Sequence, residues 1–467
     1  MFCQLIYLRR CIPGRIRRAL DELPETLDET YARSLEDIDE QNREYAHRLF
    51  QCVAAASRPL HVNELAEFLA FDFEAGSTPT FLADWRPEDP THTVLSVCSS
   101  LLAVVETDGG SPVVQFAHFS VKEYLTSTRL AKATATISRL HVSMTQAHTI
   151  IAQACLGVLL HLDENVTEDS LEKFPLAKYA AEHWVGHARI EDVSSSVQDG
   201  MKRLFDPNEH HLSVWVWIRE PDPGSWVEHS RSERAVQARA IPLHYAASCG
   251  ICDVAAFLIV ERSRDVNARG FINAEAPLHV ASRRGHADVA RLLLEHGADA
   301  NARDKRLAAL SPLEQASLGG HVEVAQVLLE HGADVKAQGY HNWTPLHYAE
   351  GEEVTRILLK HGADANVLDS DGLPPLHYAS RTGHVGTVRA LLEYGVDANA
   401  RNAKNATPLH LASNEPDVAR LLLQYSADIH ARDGEGQTPF MRATEYGQDG
   451  IMDLLLEYGA EDHRTGS

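Results

Sequence analysis

Thr344-Pro-Leu-His347 and Thr407-Pro-Leu-His410 belong to a tetrapeptide series that fills the second half of this 467-residue chain. The other members are Ile241-Pro-Leu-His244, Ala276-Pro-Leu-His279, Ser311-Pro-Leu-Glu314, Pro374-Pro-Leu-His377 and Thr438-Pro-Phe-Met441. Their prolines stand at 242, 277, 312, 345, 375, 408 and 439, so successive intervals are 35, 35, 33, 30, 33 and 31 residues. Units this short cannot bury an apolar face alone, and a fixed period of this length means stacked supersecondary units. Each proline opens a short helix, where its missing N–H costs nothing. The Thr or Ser before it caps that helix, and the His three places on ties neighbouring turns together. A second helix follows, marked by leucine pairs such as Leu293-Leu294, Leu391-Leu392 and Leu455-Leu456. Glycine ends it (Gly297, Gly332, Gly362, Gly395, Gly459), and stretches such as Ala298-Asp-Ala-Asn301 turn the chain into a loop.

This pattern resembles the ankyrin family over roughly residues 236–463. The resemblance implies a mainly α fold with a seven-copy α-solenoid, and a protein ligand held on its concave face and hairpin tips rather than catalysis. Departures from the pattern carry expectations of their own. Copy four is the shortest, because Ala349-Glu-Gly-Glu-Glu-Val354 omits most of the inter-helix loop, and copy six is clipped at Ser413-Asn-Glu-Pro-Asp417. Two shortened inner helices should kink the solenoid or narrow its concave face. Glu314 in place of His is expected to weaken the bond between copies by about 1 kcal/mol. Arg442 and Glu445 read as the polar cap of the last copy, whereas the first copy, at Ile241, has no such cap and is expected to lean on the preceding domain.

Composition points to an intracellular protein, with the cytosol as the expected compartment. The net charge of −23, with only nine lysines, argues against a phosphate-backbone binder. The apolar run Ile150–Leu160 is too short to cross a bilayer. Met1–Leu8 places Arg9-Arg10 after its apolar stretch, the reverse of a secretory signal. Seven scattered cysteines read as reduced thiols.

Ahead of the repeats, Leu27, Tyr31 and Leu35 share a helical face in a helix expected over 24–38. A second helix carries Tyr45, Leu49, Phe50 and Val53, and a third spans Val62–Ala70. Strands at 101–105 and 113–116 flank the turn-rich Asp108-Gly-Gly-Ser-Pro112, and Ser120-Val-Lys-Glu123 reads as a capping box opening the next helix. Three stretches, Leu20–Tyr31, Arg58–Leu65 and Phe116–Leu125, resemble the winged-helix region of fungal NACHT-type proteins, the NOD-like signalling NTPases. Pro175–Trp184 is similar to the helical connector that follows it. The expected organisation is 1–23 as the remnant of an upstream helical subdomain, 24–130 as a winged helix, 131–235 as connector and 236–467 as ankyrin repeats.

No Gly-Lys dipeptide occurs, so the phosphate-binding Gly-x-x-x-x-Gly-Lys-Ser/Thr loop is missing. The chain is therefore expected to be non-enzymatic and without cofactor, and to correspond to the C-terminal portion of a NACHT–ankyrin architecture. By the resemblance, His118 would be a nucleotide-sensing residue acting on a core supplied elsewhere; the plainer reading is a histidine packed at the end of a wing strand. His183 and His187 have metal-ligand spacing, but lack a third ligand and are expected to be exposed helix histidines. Cys249 and Cys252 are expected to be incidental thiols in a repeat turn, with no metal. Glu64 and Glu67 would give the Val62–Ala70 helix an acidic face, unsuited to DNA.

The candidate protein-binding residues lie at hairpin tips and inner-helix ends: Tyr340, His341, Trp343, Arg283, Arg284, Arg381, Thr382, Glu445 and Tyr446. Trp, Tyr and Arg dominate interface energies. Arg283, Arg284 and Arg381 are expected to make a basic zone suited to an acidic peptide or protein face.

Overall fold

The computed structural model describes residues 26–74, 78–98, 100–107, 111–219, 242–270, 274–305, 309–412 and 415–461. The described residues form two compact units, one up to residue 219 and the other from 242.

In the first unit, α1 (Leu27–Glu36) starts at Thr26, whose hydroxyl accepts from the Glu29 N–H at 3.2 Å. Tyr31 and Leu35 are buried, while Leu27, expected on the same face, is exposed. α2 (Arg43–Ala55) buries Leu49 and Phe50 and leads into β1 (Leu60–His61). The third helix is shorter than its spacing suggests: α3 covers Val62–Glu67, and Phe68–Ala70 tightens into a 3-10 turn. β2 (Phe71–Asp72) pairs antiparallel with β3 (Thr80–Phe81). After α4 (Pro90–Cys98), β4 (Leu102–Val105) and β5 (Val113–Phe116) form the expected hairpin, whose tip at 108–110 lies outside the described residues. β1 adds to β5 with Leu60 opposite Val114, completing an antiparallel sheet of order β1-β5-β4.

α5 (Phe119–Leu125) begins one residue before the expected capping box, and His118 is its N-cap. The core is then built around α6 (Met144–His161), which packs against α2, α7 (Leu176–Ala188), α8 (Val193–Leu204) and α9 (His211–Ile218). The long apolar run of the sequence lies in α6, which is buried nearly all round, as a helix without a polar face must be. A Cβ at Gly157 would come within 2.8 Å of the Phe71 ring, so only glycine lets this helix approach the small sheet. Trp184, Phe205 and Trp215 close the far side, with the Trp215 indole N–H donating to the Ala181 carbonyl at 2.9 Å. Among the described residues no helix is long and apolar enough to cross a membrane.

Glu64 and Glu67 correct the expected acidic face of α3. Both are buried, and Asn63 is the exposed residue of the helix. Glu64 forms a bidentate pair with Arg58 at 2.7 and 2.8 Å and accepts the His61 N–H. Glu67 pairs with Arg86 and accepts the N–H of Leu176 at 2.6 Å, so a carboxylate from α3 caps α7. Burial raises its pKa, opposed by these two partners.

The second unit stacks the seven copies, first helices against first helices and second against second. Copy one holds Pro242–Cys249 and Cys252–Val260, copy two Pro277–Arg284 and Ala287–Glu295, copy three Pro312–Leu318 and Val322–Glu330. Copies five to seven hold Pro375–Thr382 with Val385–Glu393, Pro408–Leu411 with Pro416–Gln424, and Pro439–Glu445 with Asp449–Glu457. In copy four a turn replaces the first helix before Glu352–Lys360. The glycine after the second helix is left-handed where the pattern places it, for example Gly297 at φ 88° and Gly459 at φ 96°; in copy six Ser426 takes this conformation at φ 66°.

Three ladders join the copies. The motif histidines donate to the next copy: His244 to Glu275 O at 2.8 Å, His347 to Leu373 O at 3.2 Å, His377 to Ala406 O and His410 to Gln437 O at 3.0 Å. Asn267, Asn301 and Asn399 reach from one loop to the next, as in Asn301 Nδ2 to Gly332 O at 3.1 Å. Arg269, Arg303 and Arg401 bridge successive hairpins through backbone carbonyls.

Glu314 takes a place in the arginine ladder. Its buried carboxylate accepts the Ser311 N–H at 2.7 Å and lies 3.2 Å from Arg303 Nη1, while Arg303 Nη2 donates to Gln338 O of the next copy. The same arginine link stands beside the motif histidine in copy six, where Arg401 donates to Arg432 O and His410 to Gln437 O, so Glu314 anchors Arg303 within its own copy. The missing helix of copy four is compensated. The Glu350 N–H donates to Ser317 O at 3.0 Å, and the buried Thr387 hydroxyl accepts from Gly351 N–H at 3.2 Å and donates to Ala349 O at 2.9 Å.

Candidate functional site

Trp343 stands two residues before Pro345, in the loop that leads to the helix-less turn of copy four. Its indole N–H donates to Oδ2 of Asp369 at 3.2 Å. The other oxygen of that buried carboxylate accepts the N–H groups of Asp371 and Leu373, which fix it in the loop of copy five. The indole meets the rings of Tyr348 and Tyr378 edge-on, with centroids 4.9 and 4.6 Å away. The Arg381 guanidinium lies 5.2 Å over the Tyr378 ring. Tyr348 is buried, Trp343 and Tyr378 are half-buried and Arg381 is exposed. Burial, then the neighbouring Glu314 carboxylate, pushes the Tyr348 phenol up to about 12, and burial raises Tyr378 as well. Both remain neutral hydroxyl donors in the physiological range. The result is a rigid aromatic floor with O–H donors and one cation at its edge.

Tyr348 and Tyr378 were missed among the candidate residues. The signal was available: each follows the motif histidine, so it repeats on one face of the inner segment. The same place holds Gln315 in copy three, donating to Asp304 Oδ2 at 3.2 Å, and Arg442 in copy seven, 2.9 Å from Asp433 Oδ2. Arg442 is therefore paired with a buried acid rather than simply polar surface.

Tyr340 and His341 occupy a 3-10 turn at the hairpin tip, their rings 4.0 Å apart. His341 is left-handed at φ 58°, its Nδ1 lies 2.8 Å from the Ser370 hydroxyl, and its carbonyl accepts the Ser370 N–H. The tip of copy four is thus pinned to that of copy five. Thr382 is exposed, its hydroxyl donating to Tyr378 O at 3.0 Å.

The remaining candidates stand apart. Arg283 lies 3.5 Å from the buried Glu275 carboxylate, and Arg284 is half-buried. Copies three and four separate both from Arg381, so the three arginines do not form one basic zone. Glu445 and Tyr446 are exposed at the end of the first helix of copy seven, beyond copy six.

In the first unit, His118 is exposed. Its Nδ1 lies 2.6 Å from the Ser120 hydroxyl, which is 2.7 Å from the Tyr31 hydroxyl. His183 and His187 correct the expectation of exposed helix histidines: His183 is half-buried and His187 is buried. His187 Nδ1 lies 2.8 Å from His148 Nδ1, and its Nε2 lies 2.9 Å from the Tyr179 hydroxyl and 3.3 Å from that of Ser57. Burial, then His148 and His183, lowers its pKa to about 4. Cys249 and Cys252 form no disulfide and stand on either side of Gly250, which holds φ 68° in the turn. Glu209, His210 and His211 could place ligand atoms within 4.8 Å of one another, but His210 Nε2 already lies 3.1 Å from Leu162 O.

Comparison with known proteins follows the same division. Ankyrin repeats in sets of three match residues 229–304, 278–369, 315–402, 350–433 and 395–465, together more than half of the chain. Residues 35–136 match the winged-helix domain of GPI inositol-deacylase. The azaphilone pigments biosynthesis cluster protein L of Monascus ruber is 33% identical over 265 residues, 55% of this chain and 55% of that protein. The vegetative incompatibility protein HET-E-1 of Podospora anserina is 23% identical over 232 residues, 45% of this chain and 16% of that protein. The chain therefore spans little more than half of the first relative and a small part of the second. Among solved structures, the ankyrin repeat domain of human ASB11 is 29% identical, covering 47% of this chain and 99% of that one with a TM-score of 0.43. That of Bcl-3 is 27% identical, covering 46% and 97% with a TM-score of 0.39. With its proline-histidine series matched from end to end, the chain belongs to the ankyrin-repeat family and carries a winged-helix domain ahead of the repeats.

Proposed function

We propose that this is a non-enzymatic recognition protein of the fungal cytosol, the sensing part of a NOD-like receptor for non-self recognition or signalling. A protein ligand binds the concave face and hairpin tips of copies four and five, placing apolar side chains on Trp343 and Tyr378 and an acidic group at Arg381. The observation that carries this reading is Trp343, half-buried, held edge-on by two tyrosines and fixed through its N–H by Asp369. A pre-organised aromatic anchor loses little entropy on binding and is where interface energy concentrates. Tyr340, His341 and Thr382 rim the same place, while Arg283, Arg284, Glu445 and Tyr446 serve longer ligands that follow the solenoid. The winged helix, residues 24–130, relays occupancy through the connector. The likeness to a protein named for vegetative incompatibility favours this setting.

A second reading, regulation of a nucleotide-binding core outside this chain, is favoured by His118. With Nδ1 committed to Ser120, its exposed Nε2 is left to meet a phosphate.

The experiment compares the full chain with its W343A and R381A variants as baits in extract of the source organism. Proteins held by the wild type should be lost from W343A, with affinity down roughly thirtyfold, and weakened by R381A, an exposed position that leaves the fold intact. Equal retention of the same proteins by all three, with unchanged circular dichroism, would refute the assignment of this face.

A further inference from the structure

The turn that opens α9 gathers three metal-ligating side chains. Among the described residues, Glu209, His210 and His211 can each place a ligand atom within 4.8 Å of the other two. Consecutive residues of a helix do not face one another, so adjacency in the sequence does not by itself bring such groups together. Here only His211 lies inside the helix, while His210 is its N-cap and Glu209 precedes it. The two imidazole rings stand side by side, centroids 4.3 Å apart, with Glu209 Oε2 4.0 Å from His211 Nε2. The backbone that presents them is fixed. The Glu209 N–H donates to Asp206 O at 3.0 Å, and His210 O accepts the N–H groups of Ser213 and Val214 and the Ser213 hydroxyl.

Each donor is in a state to ligate. His210 Nε2 lies 3.1 Å from the Leu162 carbonyl, which can only accept, so Nε2 carries the proton and Nδ1 the lone pair. A carbonyl on the second ring nitrogen is the usual support of a metal-bound histidine, because it fixes tautomer and orientation. His211 is 8% exposed, and its Nδ1 is buried with no hydrogen-bond partner, a state that asks for a bound group. Burial, then His210, lowers its pKa; Arg203 acts in the same direction and Glu209 against it, and the ring is neutral at neutral pH. Glu209 is exposed and free to turn onto a cation. Two imidazoles and a carboxylate are a zinc-type donor set, with a fourth position for water. We propose that Glu209, His210 and His211 bind a divalent transition-metal ion of the zinc class, which clips the start of α9 to Leu162 at the end of α6. The site belongs to the first unit and does not depend on recognition by the repeats.

The test titrates zinc chloride into the metal-free full chain by calorimetry near neutral pH. One site with a dissociation constant on the order of 1 μM is expected. Zinc at about a hundred times that concentration should raise the thermal midpoint of the first unit by roughly 5 °C. Excess magnesium should not compete, because it prefers oxygen donors. The decisive variant is E209Q/H210Q. Glu209 is exposed, and a glutamine amide in place of the His210 ring keeps an N–H for Leu162 O, so the fold is retained. It should bind zinc about a hundredfold more weakly and lose the midpoint shift. Cobalt(II) in place of zinc should give visible absorption bands in the wild type that E209Q/H210Q lacks. Equal zinc affinity and an equal midpoint shift in the variant would overturn the proposal, assigning the metal to other histidines of the chain. So would a wild type that binds zinc only at about millimolar concentrations.

Discussion

His187 sits where three distant parts of the first unit meet: Ser57 after α2, Tyr179 on its own helix and His148 on α6. Its spacing from His183 was legible as one helical turn, but its burial was not, because Ser57 and His148 are brought to it by packing. The energetic consequence has a definite sign. An unfolded imidazole takes up a proton near pH 6.5, whereas folded His187 does so at about 4. Between these values the unfolded chain binds more protons, so stability is complete above about 6.5 and falls as pH drops towards 4. His377 in the second unit, also held at about 4 by burial, adds the same dependence there. Lowering the pH from 7 to 5 should therefore lower the thermal midpoint of unfolding, with each group contributing on the order of 1–2 kcal/mol over that range. H187Q should cost stability at pH 7 and flatten the pH dependence of the first unit. A midpoint constant from pH 7 to 5 would exclude this account.

At the scale of the element, local rules were legible and long-range partners were not. Caps, prolines and leucine pairs act within a few residues, so the helix pairs and even the truncation of copy four could be read along the chain. Glu64 and Glu67, in contrast, looked like solvated charge on an amphipathic helix and proved to be buried. Their cations, Arg58 and Arg86, come from neighbouring segments, and α7 supplies a backbone N–H to Glu67. Glu314 makes the same point in the repeats. Restoring the family's usual residue with E314H looks stabilising from the motif alone, yet it removes the buried carboxylate beside Arg303. We expect E314H to destabilise the second unit by about 1–3 kcal/mol. In a double-mutant cycle, R303A should add much less to E314H than it costs alone. Denaturant titrations of the three variants measure both quantities, and strict additivity would contradict the proposed coupling.

Across the whole molecule, a solenoid is only as continuous as its nearest-neighbour contacts. Copy four presents a single turn where its neighbours present helices, and beyond that turn its backbone is held by Thr387 and Ser317. Hydrogen exchange should therefore open amides 346–351 before those of Pro375–Thr382, and T387V should accelerate that opening selectively. Uniform exchange along the inner segments would show that the side-chain stitches fully replace the helix. The sequence by itself determined the repeat number, the helix pairs, the turns and the family, because each follows from short-range preferences repeated at a fixed period. It also supplied Trp343 and Arg381 as candidates by residue type. Only the tertiary structure decided that these two join Tyr348 and Tyr378 while Arg283 is tied to buried Glu275. Only there did α3 turn its carboxylates inward and His187 become a buried hub. Such facts depend on which segments meet across tens of residues, and stacking and core packing, not local preference, select those meetings.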